Sequence, residues 1–237
     1  MEYTEFWTIL SANNIIIDVE QIEQFKRYEK ELLYWNEKIN LISRQDEQNI
    51  LEKHFLHSLS ILKYIEFPKK ARCLDIGTGG GFPGLPLKIA LPEIYMTLAD
   101  SIKKKLKTTE MFAKHTGLRN IECKLGRVED LSKDKKYIQY FDIICSRAVA
   151  QTVKLIDWTL PLLKISNNNN SSGKNSSGKF IFLKGGDLEN EINDAKNKYP
   201  QLIFTVQEIS LLGCDWMKNE EKKIIIIQFA EENNTSN

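Results

Sequence analysis

The sequence has few of the features that mark secreted, membrane or zinc-binding proteins. Its four cysteines are scattered along the chain, and no two of them form a CxxC pair. This usage is typical of reduced thiols in a cytoplasmic protein, without a disulfide or zinc framework. No apolar run approaches the ~18 residues of a membrane span. The first residues, MEYTEFWTIL, are acidic and lack a cleavage pattern. We therefore expect a cytoplasmic protein with no signal peptide, membrane contact or metal.

An excess of positive charge is also missing. The chain carries 33 basic and 32 acidic residues, for a net charge of +1. Nucleic-acid-binding domains are usually strongly basic, so any nucleic-acid contact here depends on local patches. At 237 residues and 42% hydrophobic composition, the chain can bury the core of one large domain with an extension.

The first 67 residues have the periodicity of helices. Apolar side chains recur at helical spacing from Val19 to Ile39, and Asp18 and Gln21 fit a capping box. A second helical pattern covers residues 49–65 and stops before Pro68. We predict an N-terminal helical extension over residues 1–67.

Beyond Pro68, short apolar runs alternate with amphipathic stretches. The runs are RCLDIG, YMTLAD, IECKL, FDIICS and KFIFLKG, followed by FTVQEISLLG and KKIIIIQFA. This alternation predicts an α/β fold over residues 68–237, with a mostly parallel twisted sheet and ligands at the carboxyl ends of its strands. The last two runs predict a hairpin-like edge. We expect a solvated insertion at 166–178 and a disordered tail at 231–237.

The stretch LDIGTGGGFPG contains a glycine-rich loop. Gly79, Gly81 and Gly84 satisfy G-x-G-x-x-G between a predicted strand and helix. Asp100 ends the next strand about 20 residues later, where an acid accepts hydrogen bonds from ribose hydroxyls. This context favours a nucleotide-like ligand over a purely structural turn, and it fits either a dinucleotide or S-adenosylmethionine.

Two residues of this stretch discriminate between a dinucleotide and S-adenosylmethionine. Asp75 brings negative charge to the loop, which repels a pyrophosphate but not a sulfonium. Pro83 removes an N–H group that a pyrophosphate would use. The loop therefore favours S-adenosylmethionine as the cofactor.

Two later segments end at the same predicted edge of the sheet. GRVEDL follows the third strand, where an adenine would lie against the backbone of Val128 and Glu129. Acids at a helix N-terminus are an alternative explanation of this segment. FDIICSRA places Ser146 and Arg147 at the end of the fourth strand. Taken alone, an arginine at this position is most often a surface charge.

The order of the motifs carries a family resemblance. WNEKINL, KHFLHSL, LDIGTGGGFPGLPL, TLADSIKKK, GRVEDL, SRAVA and FLKGG follow one another within residues 28–186. Together they resemble the bacterial glucose-inhibited-division B family of small-subunit ribosomal RNA guanine-N7 methyltransferases. The resemblance implies a class I, Rossmann-like methyltransferase fold, S-adenosylmethionine as donor, and one guanine of 16S ribosomal RNA in the small ribosomal subunit as acceptor.

The resemblance also implies site residues. Cofactor binding is expected at Gly77, Phe82, Val128, Glu129 and Arg147, and the physical argument adds Gly79 and Asp100. His54 and Arg147 are candidates for positioning the substrate. Candidate RNA contacts are Arg44, Lys103, Lys104, Lys105, Arg127 and Lys184. The chain departs from the family in having His57 where an aspartate is usual and Lys103 where a glycine is usual.

Guanine N7 carries an exposed lone pair, so its methylation needs alignment more than a general base. The sequence fits this requirement because it has no paired-cysteine or NPPY-type site, and we expect Cys145 to have a packing role. The near-neutral charge favours structured subunits over naked RNA, and we expect a monomer. Two alternatives stay open: a class I methyltransferase acting on a protein or small molecule, and a non-catalytic cofactor-binding module.

Overall fold

The structure is a computed structural model that describes residues 1–165 and 177–230. The predicted insertion at 166–178 lies almost wholly outside this range, and the predicted tail at 231–237 lies entirely outside it. The helices before the sheet are α1 (Tyr3–Ala12), α2 (Val19–Asn36), a 3-10 helix (Arg44–Asn49), a π-helical segment (Leu51–Leu56), α3 (His57–Leu59) and α4 (Ile61–Tyr64).

The capping box predicted for α2 is confirmed. The Gln21 N–H donates to Asp18 Oδ1 at 2.8 Å, and the Asp18 N–H donates to Gln21 Oε1 at 2.7 Å. These bonds satisfy donors that the first turn would otherwise leave free. The Gln21 side chain also donates to the Ile89 carbonyl at 2.7 Å, so the start of α2 is fixed against the helix at Gly84–Ala90, which is distant in sequence.

Strands and helices alternate after residue 71, as the sequence predicts. The elements are β1 (Arg72–Ile76), α5 (Gly84–Ala90), β2 (Tyr95–Asp100), α6 (Lys103–His115), β3 (Ile121–Leu125), α7 (Val128–Leu131), β4 (Ile143–Arg147), α8 (Thr152–Thr159), β5 (Lys179–Gly185), α9 (Glu189–Lys198), β6 (Leu202–Glu208), α10 (Trp216–Asn219) and β7 (Lys222–Phe229). Short 3-10 helices lie at Lys135–Tyr137 and Leu160–Leu162.

The strands form one mixed sheet with the order β3-β2-β1-β4-β5-β7-β6. β1 to β5 pair in parallel, and β7 is antiparallel to both β5 and β6. The predicted α/β fold with a mostly parallel sheet is confirmed. The strand order reverses at β1, between β2 on one side and β4 on the other, and ligands of open α/β sheets bind beside such a reversal.

The last two strands pair as predicted but are not joined by a tight turn. The connection from Glu208 to Lys222 contains α10, and β7 lies between β5 and β6 rather than at the edge. β7 reads IIII at its centre because both faces of the sheet are covered there: Ile224 is buried on one face, and Ile225 and Ile227 are buried on the other. Placing β7 inside the sheet brings α10 to the carboxyl end of β5, where it borders the site described below.

Two apolar cores cover the two faces of the sheet. One core contains the buried residues of α5 and α6 together with those of α2 and the other N-terminal helices. The other contains buried residues of α8 and α9. The helices of residues 1–67 thus share their core with the sheet, and the division into two parts at residue 67 stays a prediction.

Candidate cofactor loop and acceptor cavity

The glycine loop, residues 77–84, connects β1 to α5 at the carboxyl edge of the sheet. Gly77 and Gly79 have φ of +63° and +56°, the left-handed region that favours glycine. The Gly79 N–H donates to Asp100 Oδ2 at 2.9 Å, and the Gly79 carbonyl accepts from Thr109 Oγ1 at 2.7 Å. The loop is therefore held between the end of β2 and α6.

Asp75 lies beneath this loop and is fully buried. Its Oδ2 accepts hydrogen bonds from Thr78 Oγ1 at 2.6 Å and from the Gly84 N–H at 3.0 Å, while Oδ1 has no partner among the described residues. Burial raises the pKa of Asp75 to about 7. Asp75 thus shapes the loop from below, and its negative charge is only partly present at neutral pH.

The Asp100 carboxylate faces the loop from the end of β2. Its Oδ2 binds Gly79, and its Oδ1 accepts from the Ile102 N–H at 2.8 Å. A carboxylate oxygen accepts about two hydrogen bonds, so each keeps capacity for a ligand hydroxyl. The Gly126 N–H donates to the Asp100 carbonyl at 3.1 Å. This bond brings the segment that carries Val128 and Glu129 beside Asp100.

Phe82 belongs to an aromatic stack under the loop. Its ring is stacked with Tyr28 at 5.5 Å and with His54 at 4.9 Å between centroids, and Arg147 lies 4.7 Å from its centre. The ring is only 3% exposed. Phe82 therefore supports the loop and Arg147 through packing, and little of its side chain is open to a ligand.

His54 orients Arg147. Arg147 donates from one terminal nitrogen to His54 Nδ1 at 2.8 Å and from the other to the Lys53 carbonyl at 3.3 Å. Burial, then the nearby Arg147 charge, lowers the pKa of His54 to about 3. His54 is therefore neutral, with Nδ1 as the acceptor. Burial lowers the pKa of Arg147 to about 10, so the guanidinium keeps its charge and still has unused donors.

An acceptor cavity of about 450 Å³ opens on the other side of Arg147, over the ends of β4 and β5. It brings together three residues predicted from sequence, His54, Arg147 and Lys184. Its other lining residues are Asp46, Lys53, His57, Ala148, Leu183, Gly185, Trp216, Glu220 and Lys222. Cationic groups, carboxylates and an aromatic ring thus converge on one concave space, and such convergence of polar groups makes it a candidate binding site.

His57, which stands where the family usually has aspartate, is buried in the wall of this cavity. Its ring meets Trp216 edge-on, with centroids 5.8 Å apart, and its Nε2 has no partner among the described residues. Burial and then Arg147 hold the pKa of His57 well below its usual range. The chain thus places a neutral ring where an aspartate would bring negative charge.

The structure gives Lys184 a role other than the predicted RNA contact. Its ammonium group donates to the Ala150 carbonyl and to Glu191 Oε1, the latter at 2.8 Å. Glu191 also accepts from the N–H and the hydroxyl of Thr152. Its charge is thus engaged in joining the SRAVA loop to α9, and an RNA contact by Lys184 stays a prediction.

The remaining predicted RNA contacts lie on the surface around the site. Arg44, Lys103, Lys104 and Arg127 are exposed, and Lys105 is half-buried. Lys103, Lys104 and Lys105 form the first turn of α6, which begins three residues after Asp100. Cys145 is fully buried in β4 and its thiol donates to the Leu74 carbonyl at 3.4 Å, which is the packing role expected for it.

Sequence reasoning did not find several residues of the site. Tyr28 donates to the Gly80 carbonyl at 2.5 Å, and Thr109 binds Gly79, each from a helix distant in sequence. Asp46 and Trp216 reach the acceptor cavity from opposite ends of the chain. Only the tryptophan in the short segment CDWMKN offered a signal, because a large ring in such a short segment usually has something to pack against.

Comparison with known proteins identifies the family. The profile described as "rRNA small subunit methyltransferase G" matches residues 21–217. The protein named ribosomal RNA small subunit methyltransferase G from Thermoanaerobacter sp. (strain X514) is 37% identical over 195 residues, covering 82% of this chain and 77% of that protein. The protein of that name from Lactococcus lactis subsp. cremoris (strain MG1363) is 33% identical, covering 96% of this chain and 91% of that protein.

Solved structures agree on the fold. The crystal structure of ribosomal protein L11 methylase from Lactobacillus delbrueckii subsp. bulgaricus superposes with a TM-score of 0.51 at 16% identity. The superposition covers 78% of this chain and 80% of that chain.

None of the described helices is long and apolar enough to cross a membrane. The resemblance seen in the motifs is confirmed by the profile and by the relatives, and the chain belongs to the rRNA small subunit methyltransferase G family.

Proposed function

We propose that this protein transfers a methyl group from S-adenosylmethionine to N7 of one guanine in 16S ribosomal RNA of the small subunit. The family match over residues 21–217 carries this proposal. A protein with this substrate acts in the cytoplasm, and we propose that it does so as a monomer without a metal.

The glycine loop fits the cofactor. A Cβ added at Gly79 would have nothing nearer than the Gly77 carbonyl at 3.8 Å, and one at Gly126 would have nothing within 4 Å. Both glycines thus border open space beside a carboxylate, Asp100, that keeps hydrogen-bonding capacity. We propose that Asp100 binds the ribose hydroxyls, that Val128 and Glu129 bind the adenine, and that Gly77, Gly79, Arg147 and the backbone of Phe82 border the methionine part.

The strand order supports a division of the site. Asp100 and Val128 follow β2 and β3, on one side of β1, whereas the acceptor cavity lies over β4 and β5, on the other. Arg147 and the glycine loop stand between the two. The bound cofactor supplies an electrophilic methyl group, and the residues of this chain must hold the guanine N7 in line with it.

We assign the orientation of the base to Arg147. Guanine N7 carries an exposed lone pair, so its methylation needs no base and requires only that the ring be held in a fixed orientation. An unused N–H of Arg147 donating to guanine O6 would fix the ring with N7 free. The neutral His54 holds the guanidinium at 2.8 Å, which reduces the freedom that Arg147 would otherwise lose on binding.

Labelled methyl transfer tests the proposal. Small subunits from a strain lacking this gene are incubated with the protein and methyl-labelled S-adenosylmethionine, and RNA and protein fractions are separated. The proposal predicts label in the 16S RNA. Label in the protein fraction would support action on a protein, and cofactor binding without any label would support a non-catalytic module. Either outcome would contradict the proposed reaction.

A further inference from the structure

A second concave surface lies on the outer side of the glycine loop, between α2 and α6. This α2–α6 groove has a volume of about 500 Å³ and is lined chiefly by Arg27, Lys30, Tyr34, Trp35, Met111 and His115. None of these residues belongs to the acceptor cavity or to the proposed cofactor contacts. Its composition of cations and aromatic rings calls for an explanation of its own.

The groove follows from helical spacing on two neighbouring helices. Arg27, Lys30 and Tyr34 are spaced i, i+3 and i+7 on α2 and therefore share one face. Lys104, Lys107, Met111 and His115 are spaced in the same way on α6. The α6 face begins beside Asp100 and runs the length of the helix, about 20 Å. A stripe of cations thus leads from the end of β2 into the groove.

Cations outnumber acids in the groove. Its lining includes one acid, Glu31, which is paired with His115 at 2.9 Å. Arg27 and Lys30 are exposed. Lys38 adds a further charge, because its Nζ lies 3.5 Å from the Tyr34 ring centre and 5.1 Å from that of Trp35. In a chain with a net charge of only +1, this is a local concentration of positive charge.

The aromatic rings are available for stacking. Tyr34 is 55% exposed, although Lys38 lies over its ring. Tyr34 and Trp35 stand nearly perpendicular, at 89°, with centroids 5.6 Å apart. Trp35 is packed against the core on its inner side, so it forms a fixed wall beside the more exposed tyrosine. Rings beside phosphate-binding cations are the two components of single-strand RNA sites.

The two helices that form the groove also contact the glycine loop. On the neighbouring face of α2, Tyr28 binds the Gly80 carbonyl, and Leu32 lies 3.4 Å from the position of a Gly80 Cβ. From α6, Thr109 binds Gly79. The loop therefore separates the groove on one side from the acceptor cavity on the other.

We propose that the α2–α6 groove binds a single-stranded segment of the RNA that flanks the acceptor guanine. Tyr34 stacks with a base, and Arg27, Lys30 and Lys38 contact phosphates. This inference rests on the proposed function for the identity of the RNA. It extends that function by adding a sequence-tolerant anchor away from the reacting atoms.

The test uses a short unstructured oligoribonucleotide carrying 2-aminopurine, whose fluorescence is quenched when the base stacks. Tyr34→Ala should weaken its binding about fivefold or more and remove the quenching, whereas Tyr34→Phe should preserve both. The double variant Arg27→Gln, Lys30→Gln should reduce the slope of log affinity against log salt by about 1.4, since each single-strand phosphate contact contributes about 0.7.

Matched controls lie on other surfaces of the molecule. Lys154 and Lys196 are exposed on α8 and α9, across the sheet, and Tyr95 is 45% exposed at the amino end of β2. Lys154→Gln with Lys196→Gln, and Tyr95→Ala, should leave affinity, quenching and salt slope unchanged. Equal losses in these controls, or wild-type quenching by Tyr34→Ala, would overturn the proposal.

Small-subunit methylation provides the second readout. Tyr34→Ala should raise KM for subunits while kcat and the cofactor affinity stay at wild-type values. A raised KM with unchanged oligoribonucleotide binding would mean that the groove contacts a ribosomal protein, which would also overturn the proposal. If the wild-type protein methylates no RNA, the proposed function fails by itself, and the oligoribonucleotide measurements still decide the groove.

Discussion

The Asp100 carboxylate joins the glycine loop to β2 and keeps hydrogen-bonding capacity for a ligand. Because it holds the Gly79 and Ile102 N–H groups, its removal should affect both the loop and the ribose contact. We expect Asp100→Ala to weaken cofactor binding by roughly 1.5–3 kcal/mol, the range for hydrogen bonds to charged groups. Calorimetric titration measures this change. Asp194→Ala, an exposed position on α9, is the control, and equal affinity in the two variants would contradict the assignment.

Asp75 gives a pH-dependent prediction. Its pKa in the folded protein is about 7, above the value of 3.8 for a free aspartate. The folded state therefore binds this proton more tightly, and its contribution to stability is present below about pH 4 and is lost as the pH rises towards 7. The Asp75→Asn variant has no such titration. The Tm of the wild type relative to that of Asp75→Asn should fall between pH 4 and 8, and a constant difference would contradict the burial argument.

At the scale of elements, the glycine loop positions the site through backbone geometry. Gly79→Val should abolish cofactor binding, because the side chain would occupy the open space beside Asp100 and strain a φ of +56°. Gly117→Val is the matched control. Gly117 also has a positive φ, +74°, and open space around it, but it lies after α6 and away from the loop. Thermal melts should show destabilisation in both variants, and calorimetry should show lost binding only for Gly79→Val.

The elements themselves could largely be predicted from sequence, because each depends on local signals. The Asp18–Gln21 capping box and the alternation of strands with helices are local patterns. The insertion of β7 between β5 and β6 could not be predicted, since pairing between distant strands has no local signature. For the same reason the contribution of Trp216 to the acceptor cavity was missed.

The site residues show the same limit. Asp100 and Gly79 follow from motif spacing, and the structure places them in hydrogen-bonding contact. Spacing does not reveal that Lys184 forms an ion pair with Glu191, or that His54 Nδ1 accepts a hydrogen bond from Arg147. Those facts depend on which side chains meet across elements. A lysine near a predicted site is therefore a weak prediction of an RNA contact until its partners are known.

At the scale of the whole molecule, charge is balanced overall and concentrated locally. The net charge is +1, while exposed cationic side chains lie along one face of α6 and line the α2–α6 groove. Affinity for RNA from phosphate contacts alone should therefore be modest and salt-sensitive. We expect initial methylation rates on small subunits to exceed those on naked 16S RNA at equal RNA concentration. Faster methylation of the naked RNA would contradict this expectation.

Methyl transfer to N7 of one guanine can be decided by mapping the position of the new methyl group in the RNA. Small subunits from a strain lacking this gene are methylated by the protein, and their 16S RNA is cleaved chemically at 7-methylguanine. We predict one cleavage site that is absent without protein and absent from the Gly79→Val reaction. Label in the RNA without cleavage at 7-methylguanine, or cleavage at many guanines, would contradict it.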